Sequence, residues 1–167
     1  MIVVVFKNQK QLETFLLQKC KAAVASTEEK VHNIIDKCLR QFYEQFEPEE
    51  YIRMGQLLQS LVKSEVRKVG NGYEAEVYFD ASGMHYQTGQ IEIQSTASTG
   101  RMGYATWDAE TVLEVAMTGS YGGKPHGGYA KGTAIWTKSM ATIATLGGVY
   151  EMIERELSAI GVPVKKG

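Results

Sequence analysis

The feature that most constrains the fold is the tripeptide Gly70-Asn71-Gly72, which stands between two segments of strand-like character. Residues 61–69 precede it, and residues 73–80 follow it with Ala75, Val77 and Phe79 at alternate positions. Such alternation is typical of a half-buried strand, and Asn-Gly tolerates positive φ at both positions of a two-residue turn. We therefore predict a β-hairpin with its turn at Asn71-Gly72.

Helical periodicity precedes the hairpin. Asn8 is suited to cap a first helix, and Ser26 with Glu29 has the spacing of a capping box at the start of a second helix. The pattern leaves open whether these are two helices or one bent rod. Pro48 ends the helical pattern.

Helical periodicity also returns at the end of the chain. Apolar positions from Ile135 onward predict a long C-terminal helix that ends at Gly161. Gly147-Gly148 lies inside it, so the helix either kinks there or lets another backbone approach closely.

The remaining elements are short. Residues 2–6 and residues 86–94, the latter with Ile91 and Ile93 on one side, predict two more strands. Residues 95–103 are rich in Ser, Thr and Gly and predict a loop, and Asp108 is suited to cap a short helix. The whole pattern predicts an α+β fold in one domain over residues 1–167, with N-terminal helices and the C-terminal helix packed on a small antiparallel β-sheet.

Residues 119–132 are the most unusual stretch, with six glycines among fourteen residues. This composition predicts a flexible arm without regular structure. Aromatic side chains are favoured interface anchors, so we predict that the arm and its flank form a subunit or partner interface through Tyr121, His126, Tyr129 and Trp136. The alternative is that the tyrosines pack within the loop and that Trp136 begins the C-terminal helix and packs inward.

Composition excludes several classes of protein. The 18 basic and 19 acidic side chains give a net charge of −1, which argues against a protein that coats nucleic acid. The longest apolar runs fall far short of a membrane helix, and the N-terminus has no export signal, so we expect no membrane association. Two cysteines, Cys20 and Cys38, fit free thiols in a reducing cytoplasm.

No motif predicts catalysis, a metal or a cofactor. Gly123-Lys124 lacks the glycine and the hydroxyl of a P-loop, because Thr118 and Pro125 stand at those positions. Residues 70–75 match a dinucleotide fingerprint in sequence, but strand-like alternation continues on both sides of them. We therefore expect no enzyme activity, and the histidines have no second ligand at metal spacing: His32, His85 and His126.

Two other functions remain open. One is a small hydrolase or nucleotide-handling enzyme of phage or bacterial origin, which requires a pocket that gathers His126 or His85 with an acid and a cysteine. The other is a nucleic-acid-binding accessory protein, which requires four basic residues on one face: Arg53, Lys63, Arg67 and Lys68.

The segment before the hairpin, Arg53-Met54-Gly55-Gln56-Leu57-Leu58-Gln59-Ser60-Leu61, resembles the Arg-Thr-Gly-x-Leu-x-x-Ser-hydrophobic signature of phage tail-completion, or head–tail joining, proteins. Met54 replaces the usual threonine, and residues 114–119 only loosely echo the family's Glu-hydrophobic-Gly-Thr segment. The order of elements follows the family's plan.

The resemblance implies a structural virion protein without cofactor or catalytic residues. Such proteins are made in the host cytoplasm and form homo-oligomeric rings, often hexamers, which contact other neck or tail proteins in the virion. The resemblance therefore implies the same location and the same kind of partners for this chain.

Overall fold

The computed structural model describes residues 6–45, 56–84, 91–93, 103–105, 109–118, 120–121, 124–125, 135–162 and 164. The helices are α1 (Gln9–Gln45), α2 (Gln56–Gln59), α3 (Ala109–Thr118), α4 (Ile135–Thr145) and α5 (Gly148–Ala159). The strands are β1 (Leu61–Lys63), β2 (Arg67–Val69), β3 (Gly72–Glu74), β4 (Val77–Phe79), β5 (Ile91–Ile93), β6 (Gly103–Ala105), β7 (Ser120–Tyr121) and β8 (Lys124–Pro125). The strands pair as β1–β4, β2–β3, β5–β6 and β7–β8. The predicted α+β class is confirmed.

Helix α1 is one continuous helix of 37 residues. Asn8 caps it as predicted, since its side-chain oxygen accepts a hydrogen bond from the amide of Gln11 at 3.0 Å. The predicted second helix start at Ser26 and Glu29 is wrong. Three alanines among residues 22–25 carry the helix through, and both side chains instead bind groups from distant segments. The helix ends at Gln45, three residues before Pro48.

The predicted hairpin is confirmed, but its turn lies one residue earlier than predicted. Val69 is paired with Gly72, so Gly70 and Asn71 are the two turn residues. Gly70 has φ of 57°, whereas no non-glycine residue in the described chain has positive φ. Positive φ at the first turn position alone is the type II′ pattern, which twists in the same sense as the strands.

The hairpin contains a bulge at the end away from its turn. In β2–β3, Arg67 pairs with Glu74, whereas further out the amide of Ser64 donates to the carbonyl of Glu76 at 2.8 Å. Two residues, Glu65 and Val66, therefore lie between these pairs on one strand and one residue, Ala75, on the other. The Glu76 amide donates to the Ser64 hydroxyl at 2.8 Å, which satisfies a donor that the bulge would leave unpaired.

The predicted long C-terminal helix is two helices. Gly147 and Gly148 have φ of 87° and 80°, which ends α4 and starts α5. An added Cβ at Gly148 would meet no atom within 4 Å, so the pair bends the chain and does not admit another backbone there. The predicted end at Gly161 is confirmed: its amide bonds to Ser158 and the Val162 amide to Leu157, which is a Schellman motif.

The central elements agree in part with the sequence. Strand β5 and the short helix α3 are where the sequence predicts them, and β5 pairs with β6. The prediction that no regular structure forms within residues 119–132 is wrong for β7 and β8, which pair antiparallel with Tyr121 opposite Lys124. In the sequence a glycine pair, Gly122-Gly123, stands between these two strands. A glycine pair suits a two-residue hairpin loop, a signal that the glycine content concealed. The predicted strand at residues 2–6 (apart from Phe6), most of the loop at residues 95–103, and Asp108 lie outside the described residues.

The chain divides into two compact units, each assembled from separate segments. One contains Met1–Ile34, Val62–Tyr78 and Met140–Gly167, and its buried residues include Ala23, Thr27, Ile143 and Met152. The other contains Ile35–Leu61 and Phe79–Ser139, and its buried residues include Ile35, Cys38, Leu39, Phe42, Leu57, Leu61, Met84 and Ile135. Among the described helices, none has the length and apolar composition needed to cross a bilayer.

Candidate functional site

Trp136, one of the predicted interface residues, lies at the start of α4. Its exposed fraction is 47%, whereas its neighbour Ile135 and Ser139, one turn later, are fully buried. The hydroxyl of Ser139 donates to the carbonyl of Ile135 at 2.8 Å, so the buried side of this turn has its polar groups satisfied. The helix thus holds a large, half-exposed indole on a fixed backbone.

The other three predicted interface residues belong to the glycine-rich segment. The structure places the backbone of Tyr121 in β7, where it pairs with Lys124. His126 and Tyr129 lie outside the described residues. A common interface formed by all four residues, and the flexibility of the arm, therefore stay predictions.

The motif that carries the family resemblance joins α2 to the hairpin. Its hydrophobic positions, Leu57 and Leu61, are buried in their unit. The Ser60 hydroxyl donates to the Leu57 carbonyl at 2.7 Å, and the Ser60 carbonyl accepts from the Asp80 amide at 2.7 Å. The Ser60 hydroxyl therefore satisfies a carbonyl at the end of α2, and the Ser60 backbone joins that helix end to Asp80, the residue after β4. The first residues of the motif, including Arg53, lie outside the described residues.

A polar cluster in the middle of α1 was not predicted from the sequence. Glu29 accepts a hydrogen bond from Lys63 of β1, which lowers the pKa of Glu29 below its ordinary value. Burial raises the pKa of the adjacent Glu28, although Lys63 opposes that shift. Among the described residues, neither Oε1 of Glu28 nor Nδ1 of His32 has a hydrogen-bond partner. Unpaired buried polar atoms cost free energy, so this cluster is a local weak point of the unit.

A neighbouring face of α1 binds α5. Lys30 and Ser26 both donate hydrogen bonds to the carboxylate of Glu156, and these two bonds lower the pKa of Glu156. Only 15% of the Glu156 side chain is exposed. Sequence patterns gave no signal for this contact, because the partners are 126 residues apart and each is an ordinary helix-surface residue type.

Two of the four basic residues required by the nucleic-acid alternative are paired with carboxylates. Lys63 binds Glu29, and Arg67 binds Glu74 at 2.5 Å and Glu76 at 3.1 Å. These carboxylates offset the positive charge that phosphate binding requires. Lys68 is exposed, and Arg53 lies outside the described residues.

The residues of the enzyme alternative are only partly described. Cys38 is buried and Cys20 is half-buried, both on the apolar part of α1, where a thiol has little access to a substrate. His85 and His126 lie outside the described residues. Within the part of the chain that the structure describes, no three His, Cys, Asp or Glu side chains form a group suited to a metal ion.

Comparison with known protein families identifies one relationship. Residues 8–158 match the model of the YomN family, which covers nearly the whole chain. The chain belongs to the YomN family. This family derives from Bacillus phages and prophages, so the protein is phage-associated. Neither the curated proteins nor the solved structures contain a match.

Proposed function

We propose that this YomN-family protein is a structural component of a phage particle, a tail-completion or neck protein that assembles into a ring between head and tail. Three features support the proposal: the phage origin of the family, the signature around Ser60, and exposed aromatic side chains on ordered helices. The proposal includes location in the virion, assembly with other neck or tail proteins, and the absence of enzyme activity.

The observation that carries the proposal is the exposure of Trp136. The Trp136 indole is 47% exposed, and the neighbouring positions Ile135 and Ser139 are fully buried, so the helix backbone that carries the indole is already fixed. Little conformational entropy is therefore lost when a partner covers the indole. Tryptophan is the residue type most enriched among side chains that dominate binding energy. This geometry fits an anchor for a neighbouring subunit or a tail protein.

The test is complementation of a phage or prophage from which the gene has been deleted. Trp136→Ala removes the anchor, and Tyr78→Ala is the matched control, because Tyr78 is also 47% exposed but lies on the hairpin. We expect the natural chain and the Tyr78 variant to restore complete particles. We expect the Trp136 variant to leave heads and tails unjoined in electron micrographs of the lysate, and to be depleted from purified particles.

Two results would contradict the proposal. Complete particles in the deletion strain would show that the protein has no role in head–tail joining. Normal incorporation of the Trp136 variant would show that the indole is not an anchor. Circular dichroism of both purified variants separates a lost contact from a lost fold.

A further inference from the structure

One face of α1 is covered in its C-terminal part and exposed in its N-terminal part. Residues at alternating spacings of four and three fall on this face: Leu12, Leu16, Lys19, Ala23, Ser26 and Lys30. Its C-terminal half is covered, since Ala23 is buried and both Ser26 and Lys30 bind Glu156 of α5. Its N-terminal half is open, with Leu12 and Leu16 each more than a third exposed. The apolar residues of this face, Leu12 and Leu16, thus lie beyond the part that is covered within the chain.

A second apolar surface lies at the corner between α4 and α5, in the same unit. Leu146, directly after α4, and Val149 and Tyr150, in the first turn of α5, lie on either side of the two glycines and are 37%, 46% and 58% exposed. Large apolar side chains that are exposed close together mark an interaction surface more often than isolated ones do. Glu154 follows Tyr150 by one turn, so a carboxylate borders this surface.

The two surfaces have opposite charge. Residues 7–21, the N-terminal part of α1 with the two residues before it, carry four lysines and one glutamate, a net charge of +3. Helix α5 carries three glutamates and one arginine; Glu156 is bound by Lys30 and Glu151 pairs with Arg155, so Glu154 contributes the net negative charge at this corner. Lys19 lies one turn from Leu16, over the ring of Phe15 at 5.2 Å. None of the four lysines forms an ion pair within the described part of the chain: Lys7, Lys10, Lys19 and Lys21. Opposite charge around apolar centres favours association and fixes the partner.

We infer that these surfaces bind each other between two copies of this chain. The N-terminal part of α1 from one copy packs on the α4–α5 corner of the next, and Lys19 faces Glu154 across the contact. Within one copy, a lysine of α1 binds a glutamate of α5. The proposed contact between copies uses the same kind of pair, a lysine of α1 and a glutamate of α5. This inference rests on the proposed ring, for which it names the subunit interface.

A charge exchange tests the inference. Lys19→Glu places two carboxylates opposite each other at this pair of positions, and Glu154→Lys places two ammonium groups there. We expect each reversal to weaken self-association of the purified chain by at least about tenfold, because like charges replace opposite ones. An equimolar mixture of the two variants restores opposite charges at every contact. We therefore expect the mixture to associate with nearly the affinity of the natural chain in sedimentation velocity.

Lys37→Glu is the matched control. Lys37 is an exposed lysine on the same helix, and eighteen residues, or five turns, separate it from Lys19, so it has the same angular position. We expect its reversal to leave self-association unchanged. Circular dichroism confirms that each variant folds.

Four results would overturn the inference: a natural chain that stays monomeric at all concentrations, reversals that change nothing, a mixture that fails to recover, or an equal effect of the control. These results are separable from the fate of the proposed function. If the charge exchange behaves as expected but the gene is dispensable for particle assembly, the interface stands and the virion role fails. If the gene is required for head–tail joining but the reversals have no effect, the virion role stands and this interface is wrong.

Discussion

Lys30 donates a hydrogen bond to the carboxylate of Glu156, which lies 126 residues further along the chain. Ser26, one turn before Lys30, donates a second hydrogen bond to the same carboxylate. These two hydrogen bonds to Glu156 therefore fix the position of α5 along α1 within one unit. The Glu156 side chain is only 15% exposed, whereas the Lys30 side chain is 54% exposed, so the carboxylate end of these bonds is the part that is shielded from water.

Replacement of Glu156 by glutamine should destabilise the protein by about 1 kcal/mol, since glutamine keeps the shape but loses two charge-assisted bonds. For a chain of this length that corresponds to a fall in Tm of about 2–4 °C. Glu65→Gln is the control, because Glu65 is exposed and its carboxylate has no hydrogen bond or ion pair among the described contacts. Thermal unfolding followed by circular dichroism measures both. Equal Tm values for the two variants would show that the Glu156 contact contributes nothing.

Stability should decrease as the pH falls below about 4.5. The folded-state pKa values of Glu29 and Glu156 are lowered below the ordinary value of 4.5 by their bonds to Lys63 and Lys30. Each carboxylate therefore contributes stability above its unfolded pKa, and that contribution is lost as the pH falls through the lowered folded pKa. We expect the Tm of the natural chain to fall steeply in this window. The double variant Glu29→Gln, Glu156→Gln should show a flatter acid dependence, and an unchanged slope would contradict the assignment.

Glu28 should show the opposite sign. Its pKa is raised above 4.5, chiefly by burial, so its ionisation costs stability above the raised pKa, and the cost disappears at lower pH. Glu28→Gln should therefore raise the free energy of unfolding at pH 7, by at most about 0.5 kcal/mol because the partly solvated carboxylate is screened. The gain should vanish below pH 4.5, where the natural Glu28 is protonated. Urea unfolding at pH 7 and pH 4 measures the difference, and a gain that persists at pH 4 would point to packing.

Sequence patterns predicted correctly those helix ends whose hydrogen-bond partners are close in sequence. Asn8 caps the start of α1 and Gly161 ends α5 in a Schellman motif, as the sequence predicted, because the partners of each lie within a few residues along the chain. Ser26 and Glu29 matched a capping box equally well, yet the helix runs through them. Their partners, Glu156 and Lys63, come from distant segments, and no local pattern contains that information.

The same limit applies to the candidate surfaces. The sequence singled out Trp136 because aromatic residues beside a glycine-rich segment are unusual, but its exposure could be learned only from how Ile135 and Ser139 pack. The open face at Leu12 and Leu16 carries the same periodicity as the covered face around Ala23. Periodicity predicts that a face is apolar, and it does not tell whether the chain itself covers that face.

The two glycines between α4 and α5 should differ in their tolerance of alanine. Both have positive φ, so alanine at either position costs about 1–2 kcal/mol of backbone strain. At Gly147 the added Cβ would also meet the side chain of Glu151, whereas at Gly148 it would meet no atom within 4 Å. We expect Gly147→Ala to be more destabilising than Gly148→Ala by about 1 kcal/mol in urea unfolding. Glu151→Ala should reduce that difference, and equal losses would mean that Glu151 moves aside without cost.

The hairpin turn offers a similar comparison between Gly70 and Gly72. Gly70 has φ of 57°, so Gly70→Ala places a side chain in the left-handed region and should destabilise the protein by about 1–2 kcal/mol. Gly72 lies in β3 without positive φ, and an added Cβ would meet only the carbonyl oxygen of Val69, at 3.8 Å. Alanine there makes an ordinary contact and reduces the entropy of the unfolded chain, so Gly72→Ala should be neutral or stabilising by up to about 1 kcal/mol. A turn at Asn71-Gly72 would require positive φ at Gly72 and would reverse this order. Urea unfolding of the two variants therefore decides between the two turn positions, and a larger loss for Gly72→Ala would show that the sequence-based position is correct.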